Sequence, residues 1–368
     1  MPNRKMISCL SATALLLAGC AAGGAGPGPT ATVVAQGTAA GPAASASGCV
    51  VGVSWNSATG RFLAWDAPAV KDAVTAAGAT YLETDALSSA ATQATDVERL
   101  ISSGATVLII LAQNGTAIET SVAKARAHHI PVIAYDRLID DPSALYMTFD
   151  NVEVGRMQAR ALLAAVPKGR YAFIKGDKDD ANSDFVRAGQ AEVLAAAVKS
   201  GAIRNVGETY TKDWAGDLAM VEMELFLAAN HNKVDAVLAQ NDNLAIGVRD
   251  ALAAHRLDGT AVMSGQDGDE AGLNAVARGD QTVDVWKDAR VLGRAAGEAA
   301  VGLCGGGTIA GAPGVAPFTT PSGGTVSSVL LAPLAVTKDN LDEVLDAGWI
   351  TTEVLCEGVA AASVAACP

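Results

Sequence analysis

The stretch TVLIILAQNGTAIETSVAKARAHHIPVIAYDRLID, residues 106–140, contains the unit from which this chain is built. Its apolar runs TVLIILA and PVIAYD flank a segment at 115–128 that predicts a helix. Short continuous apolar runs are typical of strands buried on both faces, and strands that alternate with helices predict a parallel sheet covered on both sides. The second run stops at Asp136 and Arg137, two opposite charges that directly follow a buried strand.

The same alternation extends from residue 50 to residue 302. Apolar runs predict strands at CVVGVSW, TYLETD, TVLIILA, PVIAYD, RYAFIKG, NVGETY, VDAVLAQ, TAVMSGQD and QTVDVWK. The intervening segments predict helices at 61–77, 91–103, 115–128, 151–166, 182–199, 215–230, 243–255, 269–278 and 289–302. These are more strands than one sheet comfortably holds.

A short sequence repeat within the chain indicates two sheets rather than one. The repeat consists of LAQNGTAI at 111–118 and LAQNDNLAI at 238–246, and each copy ends a predicted strand and begins a helix. Such a repeat can arise by chance in an Ala-rich chain. The 368 residues suffice for two domains. We therefore predict an α/β fold of two similar doubly wound parallel sheets, with the break near 148–155.

The N-terminal segment predicts export and anchoring. A basic pair, Arg4 and Lys5, precedes the apolar stretch MISCLSATALLLAG, which is too short to span a membrane. The stretch ends in LAGC, which resembles a bacterial lipobox and predicts a signal peptide at 1–19 with a lipid on Cys20. An ordinary secretory signal cut nearby is the alternative. The uncharged residues 21–48 predict a flexible linker between this anchor and the folded part.

Four cysteines remain for the folded part: Cys49, Cys304, Cys356 and Cys367. An even number in an oxidising compartment predicts disulfides, with three possible pairings, and the spacings fit no zinc site. We favour Cys304 with Cys356, because each lies just beyond a late structural element.

Polar side chains follow most of the predicted strands. In open parallel α/β sheets, ligands bind beyond the carboxyl ends of the strands. Fork-shaped Arg, Asp, Asn and Gln groups can each hold two neighbouring hydroxyls, and aromatic planes can cover the faces of a pyranose. The strand-end candidates are Arg61, Phe62, Gln113, Asn114, Asp136, Arg137, Asn182, Trp214, Asn241, Asp242, Gln266, Asp267 and Lys287.

Each candidate also has a purely structural interpretation. Asp136 and Arg137 could form a plain ion pair, Phe62 could belong to the core, and Trp214 could pack as a hydrophobic staple. Helix capping could explain Asn114, Asn241 or Asp242, and Asp267. The joint pattern favours a site for an uncharged, hydroxyl-rich ligand over any of these single explanations.

Other function classes fit the sequence less well. A net charge of −13 argues against nucleic acid binding. There is no G-x-S-x-G elbow and no P-loop, and the four His fall at predicted helix ends. The segment DKDDANSD, 177–184, lacks the Gly and the Glu of a calcium loop. We expect no catalysed reaction, no cofactor and no bound metal.

Several longer stretches resemble the sugar-binding lipoproteins of ABC importers, and most of all the xylose-binding members of that family. The resemblance extends from Val50 to Leu345. It rests on VIAYDRLI, FDNVEVGRMQARAL, FVRAGQ, ANHNKVDAVLAQND, SGQDGDEAGL, QTVDVWK and LAPLAVTKDNLDEV. The first loop, SWNSATGRFLAW, and the segment DDANSD depart from the family pattern, so the sugar itself stays open.

The resemblance implies two domains joined by three crossover segments, with the sugar in the cleft between them. Domain one would comprise 50–149 plus 288–328, domain two 150–287 plus 329–355, and 356–368 a C-terminal tail; the crossings would lie near 149–151, 287–289 and 329–333. The implied sugar contacts are Arg61, Asp136, Arg137, Asn182, Trp214, Asn241, Asp267 and Lys287, with Phe62 stacking on the ring.

The resemblance also implies a function. A monomeric, membrane-anchored receptor at the outer face of the cytoplasmic membrane would capture a pentose, D-xylose, by hinge closure and deliver it to the permease of an ABC importer. One alternative is another aldose, such as glucose, arabinose or galactose, in the same cleft. A second is a sensory module that presents the sugar-bound state to a receptor kinase.

Overall fold

The computed structural model describes residues 48–360 and 363–367. The predicted signal peptide, the lipidation at Cys20 and almost all of the linker lie outside these residues. Within the described part of the chain, no helix combines the length and the apolar character needed to cross a membrane.

The chain first builds five parallel strands connected by three helices. These elements are β1 (Val50–Trp55), α1 (Ala67–Ala76), β2 (Thr80–Asp85), α2 (Ala90–Ser102), β3 (Val107–Ile110), α3 (Glu119–Ala127), β4 (Val132–Tyr135) and β5 (Ala144–Phe149). A widened helical turn at Phe62–Asp66 leads directly into α1. The predicted strands and helices of this half are present, although β3 and α3 are shorter than the sequence pattern indicates.

Crossing to a second sheet, the chain repeats the pattern. The elements are α4 (Asn151–Ala165), β6 (Gly169–Lys175), α5 (Ala181–Lys199), β7 (Ile203–Tyr210), α6 (Gly216–Ala229), β8 (Ala236–Ala239), α7 (Asp242–Ala254), β9 (Val262–Asp267), α8 (Glu270–Arg278) and β10 (Val283–Trp286).

The last part of the chain returns to each sheet in turn. The elements are α9 (Ala289–Cys304), β11 (Ala316–Thr319), β12 (Thr325–Leu331), β13 (Leu334–Val336), α10 (Asp342–Asp346) and α11 (Thr352–Leu355). The first sheet has the order β11-β12-β5-β4-β3-β1-β2 and the second β13-β10-β9-β8-β6-β7. Within them β11 and β13 are antiparallel to their neighbours. The predicted fold class, two doubly wound α/β domains, is confirmed.

The chain therefore passes between the sheets three times: after β5, after β10 and after β12. Strand β12 pairs with β5 as far as Leu331, so the last passage begins three residues beyond the expected boundary at 328. The predicted strands omit β5, which follows β4 with no helix between them. They also miss β11, β12 and β13, because the series stopped at 302 and these strands follow one another without alternating helices.

Strand β3 shows why the sheets are covered on both faces. Val107 and Ile109 contact the core cluster beneath α1 and α9, whereas Leu108 and Ile110 contact the cluster beneath α2 and α3. Successive strand side chains point to opposite faces, so a continuous apolar run fills two cores at once. Burial of each such side chain contributes about 1.5–3 kcal/mol.

The disulfides differ from the predicted pair. Cys304 is bonded to Cys49, and Cys356 to Cys367, each with a Cα–Cα distance of 5.5 Å. The prediction of Cys304 with Cys356 is wrong because helix α9, which ends at Cys304, lies against the first sheet beside the start of β1. Cys356 instead follows α11 in a cluster that includes the second domain's α8 and the tail residue Val364.

Candidate functional site

A cavity of about 380 Å³ lies between the two sheets, where the carboxyl ends of their strands face each other. It is lined by all nine predicted sugar-binding residues: Arg61, Phe62, Asp136, Arg137, Asn182, Trp214, Asn241, Asp267 and Lys287. Gln113 and Gln266 from the strand-end candidates line it as well. Residues from both domains therefore converge on one space.

Arg61 is the centre of the charge arrangement. It opens the widened turn before α1 and is only 7% exposed. Its Nη2 lies 2.7 Å from Asp136 Oδ2, its Nε 3.2 Å from Asp66 Oδ2, and its Nη1 3.1 Å from Asp267 Oδ1. Asp267 ends β9 in the second domain, so one guanidinium joins carboxylates from both sides of the cleft.

Lys287 adds a second cation to the same carboxylate. Its Nζ lies 2.9 Å from Asp267 Oδ1, and its side chain is almost fully buried at the crossing that follows β10. Burial by itself would raise the pKa of Asp267, but the charges of Lys287 and Arg61 outweigh it and lower that pKa. The pKa of Asp136 is lowered in the same way, against burial, by Arg61 and Lys287. Both carboxylates are therefore ionised hydrogen-bond acceptors.

A buried pair behind Arg61 holds it in place. Asp66 is fully buried, and Tyr135 Oη donates a 2.5 Å hydrogen bond to its Oδ1. Burial raises the pKa of Asp66 to about 6, although the charge of Arg61 opposes the shift. Sequence reasoning missed Asp66, because it lies inside a helical turn and not at the end of a strand.

Trp214 is held at its indole and at its backbone. The indole Nε1 donates to Asp180 Oδ2 at 3.2 Å, and the backbone carbonyl accepts a 2.8 Å bond from Asn243 Nδ2. The ring lies against the backbone of Gly176, where a Cβ would come within 2.1 Å of it. Only glycine leaves this space. Phe62 follows Arg61 in the first domain, and the Arg61 guanidinium lies 4.7 Å from its ring centroid.

Asp136 and Arg137 do not pair with each other. Asp136 binds Arg61, while Arg137 Nε contacts Asp180 Oδ2 at 3.0 Å. Asp136 has a φ of 61°, so the chain turns there and the two side chains diverge. The contact of Arg137 with Asp180 crosses from the end of β4 to the start of α5, and thus from one domain to the other.

Asn182 and Asn241 both line the cavity and also make hydrogen bonds that hold the surrounding structure. Asn182 Oδ1 accepts from Tyr146 Oη at 3.2 Å and Asn151 Nδ2 at 2.9 Å, while its Nδ2 donates to the carbonyl of Asp136 at 3.2 Å. Asn241 caps α7 by accepting from Leu244 N at 3.0 Å, yet it also lines the cavity.

Two other strand-end candidates do not line this cavity. Asn114 accepts from the backbone N of Thr116 and Ala117 in the turn before α3, so it holds that turn and does not cap the helix, which begins at Glu119. Asp242 is fully buried and accepts from the backbone N of Asp269 at 2.9 Å. Burial raises its pKa well above the usual value and raises that of neighbouring Asp284 to about 7.

Several cavity-lining side chains were missed from sequence. They are Asn56, Ser57, Thr59, Ser88, Asp180, Asp213, Asn243 and Asp269. Asp180 is the most consequential of them, because it contacts both Arg137 and Trp214. Its position before α5, where its side chain accepts from the backbone N of Asn182, gave it the signature of an ordinary helix cap.

Backbone strain is concentrated at this site. Asp136, Trp214 and Asp267 have φ values of 61°, 56° and 98°, in the region that favours glycine. Such conformations cost on the order of 1–3 kcal/mol each and persist where surrounding contacts hold them, commonly at ligand sites. The contacts of these residues with Arg61, Asp180 and Lys287 supply that support.

Fold and site together define the class: a two-domain α/β protein whose domains enclose a polar cavity at the facing strand ends. The chain belongs to the periplasmic binding protein domain family, whose model matches residues 51–308. It is 41% identical over 262 residues to the D-xylose-binding periplasmic protein of Escherichia coli (strain K12), covering 70% of this chain and 78% of that protein.

Further similarities come from other sugar-binding proteins. The chain is 31% identical over 278 residues to the multiple sugar-binding periplasmic receptor of Rhizobium radiobacter, covering 70% of this chain and 77% of the receptor. Among solved structures, an ABC transporter solute binding protein of Clostridium phytofermentans with bound β-D-glucose superposes with a TM-score of 0.75 at 29% identity. That match covers 83% of this chain and 99% of the other.

Proposed function

We propose that this protein captures a single monosaccharide, D-xylose, by closing its two domains around it, and delivers the sugar to an ABC importer. The observation that carries the proposal is the 380 Å³ cavity, in which Arg61 of the first domain contacts Asp267 of the second. The 41% identity with a D-xylose-binding periplasmic protein supports xylose as the sugar.

The chemistry of the lining suits an uncharged ring with hydroxyls on its rim. Ionised Asp136 and Asp267 accept hydrogen bonds from hydroxyls, while Arg61, Arg137 and Lys287 donate them. Trp214 and Phe62 offer apolar faces to the C–H faces of the ring. Each of these charges contacts at least one opposite charge, so a neutral ligand enters without leaving a buried charge unpaired.

Closure follows from the way the contacts are divided. In this proposal the moving units are residues 50–149 with 288–331 and residues 150–287 with 334–355. Each unit carries part of the ligand contacts, so the sugar binds fully only when the units meet and stabilises the closed form. The closed form then presents a surface that the permease recognises.

The anchoring is proposed from the sequence at Leu17–Cys20. A lipid on Cys20 keeps a monomeric receptor close to its permease at the outer face of the cytoplasmic membrane and raises its effective concentration there. The relatives named as periplasmic proteins support a location outside the cytoplasm.

The proposal is tested by measuring the melting temperature of the purified protein with a panel of aldoses and xylitol, followed by calorimetric titration of each sugar that shifts it. We expect D-xylose to give the largest shift and a 1:1 stoichiometry. Similarity to glucose-bound solute binding proteins makes glucose the second candidate. A panel that produces no shift refutes the proposed function.

A further inference from the structure

Beyond the nine predicted sugar contacts, a hydrogen bond spans the mouth of the cleft. Gln113, just beyond β3 in the first domain, donates from Nε2 to Asp213 Oδ1 of the second domain at 3.0 Å. We call this contact the Gln113–Asp213 bridge. Both residues line the 380 Å³ cavity, and both also line a separate cavity of about 450 Å³ outside it. The bridge therefore lies between the 380 Å³ cavity, which we call the inner cavity, and the 450 Å³ cavity, which we call the outer cavity.

Both ends of the bridge are held by the protein. Gln113 Oε1 accepts from Asn56 Nδ2 at 3.1 Å, which orients the amide so that its nitrogen points across the cleft. On the opposite side, the backbone N of Asp213 donates to Asp177 Oδ2 at 2.5 Å. Asp213 has a φ of 54° and is followed by Trp214 with a φ of 56°. Two consecutive left-handed residues other than glycine are costly, and this backbone places a carboxylate over the cleft mouth.

We propose that the Gln113–Asp213 bridge is a size filter that restricts the site to unsubstituted monosaccharides. The outer cavity has room for a further group, so the limit at this end of the ligand is the bridge itself. A sugar that carries a substituent toward the mouth displaces the bridge or holds the domains apart. This inference rests on the proposed function, because it concerns the same ligand in the same cavity.

The outer cavity has the features of a space that holds carbohydrate. Its lining includes the aromatic ring of Tyr210, the carboxylates of Asp177 and Asp179, and the amide of Asn114. With the bridge removed, a substituent that projects through the mouth meets polar partners there instead of bulk protein. The bridge therefore excludes ligands that carry a substituent at the one position facing the mouth. Substituents at the other positions meet the residues that line the 380 Å³ cavity.

The test compares wild type with Asp213→Gly and with Gln113→Ala. Glycine suits the left-handed backbone at 213 and removes the side chain with its carboxylate, while Gln113→Ala removes the bridge from the opposite domain. The matched control is Asn232→Gly, which replaces an exposed residue with a φ of 59° far from the cleft. Thermal unfolding without ligand establishes that each variant is folded.

The probes are D-xylose, its α- and β-methyl glycosides, its 2-, 3- and 4-O-methyl ethers, and D-glucose, which adds a hydroxymethyl group at C5. The readout is the affinity for each probe divided by the affinity for xylose. We expect this ratio to rise at least about tenfold for one substituted position in both bridge variants and to stay unchanged in Asn232→Gly. Xylose itself should weaken by no more than about tenfold, because solvent weakens an exposed hydrogen bond to a carboxylate.

Three results overturn the inference while leaving the proposed function intact. They are unchanged ratios for every probe, an equal rise for all of them, and loss of xylose binding in both folded bridge variants, which would make the bridge a requirement for closure. Failure of wild type to bind any of the aldoses instead refutes the proposed function, and the inference falls with it.

Discussion

Replacing Asp267 with asparagine tests how much of the binding energy depends on one carboxylate. Its Oδ1 lies 3.1 Å from Arg61 Nη1 and 2.9 Å from Lys287 Nζ, so a single oxygen serves two cations. Asparagine keeps the shape and an oxygen at the same place, and it tolerates the φ of 98° better than most residues. The substitution therefore removes charge with little change in geometry.

The magnitude follows from the two contacts. A hydrogen bond to a charged group contributes about 1.5–3 kcal/mol. Arg61 and Lys287 stay charged in the variant, so each bond to the neutral asparagine oxygen loses only part of this, about 0.5–1.5 kcal/mol. Two such bonds give about 1–3 kcal/mol, or about 5- to 150-fold weaker sugar binding. The Arg61 contact crosses the cleft, so its share of this loss should appear as reduced occupancy of the closed form.

Calorimetric titration of wild type and Asp267→Asn with D-xylose measures the change. The matched control is Asp235→Asn, which removes the charge from a second-domain carboxylate 2.7 Å from Arg170 Nη2, outside the cavity lining. We expect the control to bind xylose as wild type does. If Asp267→Asn is folded and its affinity lies within twofold of wild type, the assignment of this carboxylate to ligand binding and closure is wrong.

Three further predictions concern the stacking surface, the anchor and the pH dependence. Trp214→Ala removes an apolar face held by Asp180 and Gly176 and should weaken xylose binding at least about 30-fold by titration; an unchanged affinity would remove the indole from the site. Cys20→Ser should shift the protein from the membrane to the soluble fraction of fractionated cells, and continued membrane association would contradict the lipobox interpretation. Burial raises the pKa of Asp284 to about 7, above the ~3.9 of an unfolded Asp. The folded state thus keeps a proton that the unfolded chain releases, and its stability falls as the pH rises from about 4 through 7. The melting temperature of Asp284→Asn relative to wild type should therefore be higher at pH 8 than at pH 5, and a pH-independent difference would contradict this.

Much of the fold is contained in local sequence. The apolar runs of β3 and β4, with a helix between them, are enough to predict parallel strands with cores on both faces. Once the strands are placed, the rule that parallel strands end on a common edge brings Asp136, Arg137 and Asp267 together as candidates. The nine contacts that the resemblance implies all belong to this strand-end set and line one cavity, whereas Asn114 and Asp242 from the same set do not.

Other features depended on tertiary structure alone. Arg61 pairs with Asp136 and Asp267, which lie 75 and 206 residues away along the chain, and no local pattern reveals which carboxylates it meets. The same holds for Cys49 with Cys304, and for Gln113 with Asp213. Asp66 and Asp180 look like ordinary helix residues until the fold places them against Arg61 and Trp214.

The sequence by itself thus determined the periodic elements and the edge at which a ligand binds, because backbone hydrogen bonding and side-chain alternation act over a few residues. The tertiary structure decided which opposite charges, thiols and amides meet. Those contacts depend on how two sheets and three crossings arrange distant segments, and the free energy of each is realised only after the sheets have formed.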